Sequence, residues 1–159
     1  MNITVISLGK LKEKYLRDAI DEYSKRIAAY GKLDIIELNP VRLSDNPSQT
    51  EISNALSKEA EEIKKKIPGG SYVYALCIEG KELSSEKLAE SIKNAFLNGK
   101  SNIVFIIGSS FGMSEEIKRL ADYRLSFSPM TFPHQLMRVM LLEQVYRAFQ
   151  INNNGKYHK

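Results

Sequence analysis

The sequence predicts an α/β fold, a mainly parallel sheet with helices on both faces, formed by one domain over residues 1–159. Three observations predict it. Apolar β-rich runs alternate with apolar residues at helical spacing along the whole chain. The run Ile103 to Ile107 is wholly apolar, as a strand of a parallel sheet buried on both faces should be. No internal repeat, low-complexity tract or linker breaks the alternation.

The elements follow in order. Ile3 to Leu8 is apolar and β-rich, and Leu16, Ile20, Tyr23 and Ile27 then recur at helical spacing. Leu33 to Leu38 reads as a second strand. After the open-looking loop Asn39 to Pro47, Ser48 caps a helix with Ile52, Leu56, Ala60, Ile63 and Ile67 on one face, and Pro68-Gly69-Gly70 stops it. Tyr72 to Ile78 is a third strand. Ser84 or Ser85 opens a helix that turns Leu88, Ile92 and Phe96 inward and ends at Gly99. Past the central strand, Gly108 to Gly112 is a turn. Ser114 caps the next helix, with Glu115 and Glu116 in the first turn, where the helix dipole favours them. Leu125 to Phe127 is a fifth strand, and Pro133 suits the first turn of a final helix running to about Asn152.

Composition narrows the function classes. The chain is 43% apolar and 26% charged, average for a soluble globular protein. Its 159 residues bury a core without disulfides or metals. The lone cysteine, Cys77 in VYALCI, reads as a small buried hydrophobe, and no Cys/His cluster has metal-ligand spacing. A reducing cytoplasm and no metal are therefore expected. The start MNITVISLGKLKEKY lacks the long apolar region of a signal peptide, and no apolar run approaches the ~20 residues that span a bilayer, so no membrane is expected. The net charge of +4 leans mildly toward polyanions. From Arg138 onward, four cations (Arg138, Arg147, Lys156, Lys159) face one anion, Glu143, a bias that suits phosphate contact or a solvated terminus.

The final helix is apolar all the way round, from Leu136, Met137 and Val139 to Phe149 and Ile151, so it needs cover on every side. A central place in a monomer satisfies this. The more economical arrangement is a homodimer through the last helix.

Ligands of open α/β sheets bind outside the carboxyl ends of the strands, where three loops lie: Cys77 to Gly80, Gly108 to Gly112 and Ser128 to Pro133. The second lacks both the G-x-G-x-x-G spacing and a P-loop lysine, which argues against a dinucleotide or ATP. The third carries two prolines that limit its freedom and two apolar side chains, Met130 and Phe132, that suit a ring or thioether or simply pack the core. A mostly neutral, partly apolar cofactor fits better than a polyphosphate. His134 stands at the helix entrance and Arg138 follows four residues on, on the same helix face. Tyr157 and His158, between Lys156 and Lys159, can fold over a base by stacking and hydrogen bonding or stay disordered. No Ser/His/Asp set and no carboxylate pair for acid–base work is readable.

These residues carry a resemblance. The segment LSFSPMTFPHQLMRVMLLEQVYRAFQINNNGKYHK is similar to the end of the RlmH family, the ribosomal large-subunit pseudouridine methyltransferases. FPHQLMRVMLLEQVYRA and the terminal YHK are its most specific parts, and ITVISLGKLKEKY, LCIEGKELSSEKLAE and VFIIGSSFGMS extend it over the chain. The resemblance implies an α/β methyltransferase of the SPOUT class with a C-terminal trefoil knot, active as a homodimer. It implies methyl transfer from S-adenosylmethionine to N3 of a pseudouridine in 23S ribosomal RNA on the assembled ribosome. The implied cofactor pocket is Leu76, Gly108, Phe127, Ser128, Pro129, Met130, Thr131 and Phe132. His134, Arg138, Tyr157 and His158 match family positions near the target base, with the tail reaching the partner's pocket. One departure is Gly108-Ser109, where the family often has a glycine pair; a positive φ at Ser109 would strain a serine. The rival readings are a non-catalytic RNA- or ribosome-binding module and a small-molecule enzyme on a nucleotide-binding sheet.

Overall fold

The computed structural model describes residues 1–159. In chain order the elements are β1 (Asn2–Leu8), α1 (Lys14–Ile27), β2 (Lys32–Leu38), α2 (Gln49–Lys66), β3 (Ser71–Glu82), α3 (Ser85–Leu97), β4 (Asn102–Ile107), α4 (Glu115–Leu120), β5 (Tyr123–Ser126) and α5 (His134–Asn152). The five strands form one sheet in the order β2-β1-β4-β3-β5, and every pairing is parallel. β4 lies at the centre, so its uninterrupted apolar run is covered on both faces, as expected.

Strand alternation sorts the side chains into two layers. Ile3, Val5, Tyr74, Ile103 and Phe105 share a core with α1, α3 and α5. Ile6, Val73, Ala75, Val104 and Ile106 pack with Ile63 of α2 and Ile117 of α4 on the other face. Burying each large apolar side chain contributes roughly 1.5–3 kcal/mol. α5 is the middle helix of its layer: Leu141, Leu142, Val145 and Phe149 are buried, and α1 and α3 cover its flanks. One chain therefore covers much of the all-apolar helix, and only Leu136 among its large apolar side chains is exposed.

The serine caps form. Ser48, Ser84 and Ser114 each accept a backbone N–H three residues on, from Glu51, Lys87 and Ile117. Other boundaries move. α2 buries Ala55, Glu59, Ala60 and Ile63, while Ile52, Leu56 and Ile67 are only half-buried; the inward face is rotated because Glu59 serves as a polar anchor. β3 continues past Ile78 to Glu82 because its register against β5 jumps between Leu76 and Lys81, which throws residues 77 to 80 out of the sheet. Gly80 permits the return, since a Cβ there would lie 2.6 Å from the Arg124 carbonyl oxygen. β5 is Tyr123–Ser126 rather than Leu125 to Phe127, because Asp122 fixes its start: its carboxylate accepts the Val73 N–H at 2.8 Å, and its own N–H donates to the Val73 carbonyl at 2.9 Å.

Candidate active site

A cavity of about 570 Å³ lies at the carboxyl ends of β3, β4 and β5. A second hollow, of about 500 Å³, opens between α3 and the tyrosines Tyr72 and Tyr123 near the opposite strand ends. Parallel α/β sheets bind ligands at carboxyl ends, so the first is the candidate site.

Three loop segments wall most of it, each shaped by a local device, and α4 and α5 add side chains. The excursion of β3 contributes Cys77, Ile78 and Glu79. The turn after β4 closes through reciprocal bonds, Ser109 N–H to the Gly112 carbonyl at 3.0 Å and Gly112 N–H to the Ser109 carbonyl at 2.8 Å. Gly108 is required there, because a Cβ would collide with the Gly112 carbonyl oxygen. The positive φ of this turn, +87°, falls on Gly112 and not on Ser109, so the serine is unstrained. Its hydroxyl donates instead to Glu59 Oε1 at 3.1 Å, and Glu59 Oε2 accepts the Val41 N–H at 2.9 Å. In the third segment, Ser126 Oγ donates to the Ser128 carbonyl at 3.1 Å and the Met130 N–H donates to Ser128 Oγ at 3.0 Å.

Of the residues expected at a cofactor, Leu76, Gly108, Phe127 and Ser128 line this cavity, and so do Met130, Thr131 and Phe132. Pro129 is exposed in the same loop and does not line it. His134 lines it, half-buried. Arg138, Tyr157 and His158 do not. Arg138 is 1% exposed; its NH1 donates to Glu37 Oε2 at 2.6 Å and its NH2 to the Gly9 carbonyl at 3.1 Å. Sharing a helix face with His134 thus sends it into the interior and not to the cleft mouth. Sequence reasoning passed over Lys118 and Met137, which line the cavity, and the buried Glu59 behind it. Glu59 had a signal, its four-residue spacing from Ala55 and Ile63 on α2. Lys118 had none, because its partner Glu79 lies on another element.

A family model described as "Predicted SPOUT methyltransferase" matches residues 1–158. The chain belongs to the SPOUT methyltransferase family. Ribosomal RNA large subunit methyltransferase H 1 of Clostridium perfringens is 56% identical over 159 residues, covering 100% of both chains. Ribosomal RNA large subunit methyltransferase H of Clostridium novyi is 55% identical, and that of Clostridioides difficile 52%, over the same full span. These relatives assign the chain to the RlmH branch of the SPOUT family. A solved structure, a probable methylase family protein from Haemophilus influenzae Rd KW20, has a TM-score of 0.52 at 17% identity; the match covers 99% of this chain and 70% of that one and speaks for the fold alone.

In this SPOUT chain the tail is docked, not free. Asn154, with a φ of 55°, turns the chain back along α5. Tyr157 OH donates to Glu143 Oε1 at 3.0 Å, and the Arg147 guanidinium, 4.7 Å from the Tyr157 ring centroid, also binds Glu143 at 2.6 Å. His158 lies between Arg147 NH1, 3.1 Å from Nδ1, and Glu86, 2.7 Å from Nε2. Burial and the Glu143 carboxylate raise the Tyr157 phenol above its usual range, which keeps it a donor. At the cleft, burial and then the nearby Arg138 charge push the His134 imidazole below its usual range, so at neutral pH it is uncharged and able to accept a proton. No group of three or more His, Cys, Asp or Glu side chains is placed to hold a metal, and no helix is long and apolar enough to cross a membrane.

Proposed function

We propose that the chain is an S-adenosylmethionine-dependent methyltransferase that methylates N3 of a pseudouridine in 23S ribosomal RNA on the assembled ribosome. The observation that carries this reading is the cleft at the ends of β3, β4 and β5, in a chain alike over its full length to proteins named as ribosomal RNA large subunit methyltransferases. The residues present fit the cofactor. Leu76, Ile107, Leu125 and Phe127 offer apolar surface for a purine and a thioether, Gly108 leaves room for close backbone approach, and the 127–133 loop offers main-chain groups to an adenine edge. Purely RNA-binding modules need no such apolar cleft.

When bound, the cofactor supplies an electrophilic methyl on a sulfonium. The chain's residues do the rest by positioning. The imide N–H of the target must lose its proton, and the neutral His134 at the cleft is the acceptor in this reading. Tyr157 and His158 hold the base by stacking and hydrogen bonding. Arg138 acts indirectly: through Glu37 and the Gly9 carbonyl it fixes the segment after β1, where a Cβ on Gly9 would lie 3.9 Å from His134 Nε2. The C-terminal trefoil knot and the homodimer belong to the same reading. Each copy then lends its tail to its partner's cleft, and the apolar flank around Leu136 supports α5 as the shared surface.

The test uses purified chain, labelled S-adenosylmethionine and ribosomes from a strain lacking the corresponding gene. Mass spectrometry of the RNA should show one added methyl group, on a pseudouridine of 23S RNA. Methyl incorporation elsewhere, or none, overturns the reading.

A further inference from the structure

We propose that Glu79 and Lys118 form a grip for the zwitterionic amino-acid end of an S-adenosyl ligand in this cleft. The inference rests on the cofactor reading above and adds a subsite to it. Among the residues lining the cleft, Glu79 and Lys118 alone carry full charges, of opposite sign, since His134 is held neutral. They come from separate walls: Glu79 from the excursion of β3, Lys118 from α4. The fold joins them in an ion pair, with Glu115 Oε1 a further 3.4 Å contact of Lys118 Nζ and Arg124 Nε donating to the Lys118 carbonyl at 3.1 Å.

Lys118 is committed to this position. Its side chain is 15% exposed against 55% for Glu79, so the carboxylate can swing while the ammonium stays. Burial opposes the lysine charge, but Glu79 and Glu115 outweigh it and hold the ammonium above its usual range. An ammonium has three N–H donors; two carboxylates engage two, which leaves one for an incoming anion. An α-amino acid carries a carboxylate and an ammonium on one carbon. It matches an adjacent cation and anion in both signs, with charge-assisted bonds at each end. A phosphate does not, because Glu79 repels it. The apolar half of the cleft is then left for the purine and thioether.

Calorimetry with three ligands tests this: S-adenosylhomocysteine, decarboxylated S-adenosylmethionine, which lacks the carboxylate, and 5′-methylthioadenosine, which lacks the whole amino-acid end. Lys118→Met should weaken S-adenosylhomocysteine by about tenfold and leave the other two within about twofold. Glu79→Gln should weaken both amine-bearing ligands and spare 5′-methylthioadenosine, whose binding also reports an intact cleft. Lys118→Arg, which keeps the charge, should retain the wild-type preference. Equal losses for all three ligands, or no loss for any, overturn the grip and leave the cofactor reading standing. Failure of the wild-type chain to bind any of them overturns both.

Discussion

Arg138 and Glu37 meet at 2.6 Å across the ends of α5 and β2, the arginine buried and the glutamate at the surface. Their pairing ties the last helix to an edge strand and, through the Gly9 carbonyl, to the segment after β1. Arg138→Ala should destabilise the fold by about 2–4 kcal/mol, since it removes a packed side chain and both bonds. Glu37→Gln should cost less, because that side chain is 35% exposed and keeps an acceptor. Urea unfolding measures both. An Arg138→Ala chain as stable as wild type would return Arg138 to a role confined to RNA.

Glu59 couples two parts of the chain that are far apart in sequence. It is 5% exposed and accepts from Val41 in the 39–47 loop and from Ser109 in the cleft turn. Glu59→Ala removes the acceptor of the Val41 N–H and leaves the Ser109 hydroxyl only its 3.4 Å contact with the Gly112 carbonyl, at a cost of about 1–3 kcal/mol. Faster amide hydrogen exchange is expected at Val41 and in the 109–112 turn together. Faster exchange at only one of the two places would show that Glu59 does not link them.

The depressed titration of His134 gives stability a pH dependence of known sign. Between the ordinary imidazole value of 6.5 and the lower native one, the unfolded chain binds more protons than the folded one. The contribution is therefore complete above the ordinary value and is lost as pH falls through the window. Melting temperatures from pH 8 to pH 5 should fall more steeply for the wild type than for His134→Gln. Parallel slopes would contradict the burial of the imidazole.

The tail should matter for methyl transfer and not for the cleft. Truncation before Asn154, or Tyr157→Phe, should reduce RNA methylation by about tenfold or more, while affinity for S-adenosylhomocysteine stays within about twofold. Glu143→Ala, which releases Tyr157 and Arg147 together, should behave like the truncation. Undiminished turnover in the truncated chain would exclude the tail from catalysis.

If α5 is the shared surface, the chain sediments at twice its mass of 18.0 kDa. Leu136 is 39% exposed beside the half-buried Met137, Val139 and Met140, so Leu136→Glu should yield folded monomers whose unfolding midpoint is lower than that of the wild type and independent of protein concentration. Sedimentation of the wild type as a monomer at micromolar concentration would remove the homodimer from the reading.

Much of the architecture was legible because it is written in local periodicity and capping. All ten elements, the Ser48 and Ser114 caps and the central apolar strand β4 need only neighbouring residues to be recognised. The cleft loops were legible for a related reason: in a parallel sheet the carboxyl ends of strands are known once the strands are. Gly108 and most of the 128–132 loop then follow, whereas Leu76 and Phe127 came from the family resemblance.

What local pattern cannot carry is a pairing between distant elements. No periodicity says that Arg138 turns inward to Glu37, that Glu59 holds Ser109, that Glu79 meets Lys118, or that β3 slips register before Lys81. Each depends on which strand lies beside which, and the order β2-β1-β4-β3-β5 is not the order of the chain. The sequence by itself determined the elements and the end of the sheet where ligands bind, because short-range sterics and hydrophobic spacing decide those. Only the tertiary structure decided which charges face the cleft and which are consumed inside, because a buried ion finds its partner through space and not along the backbone.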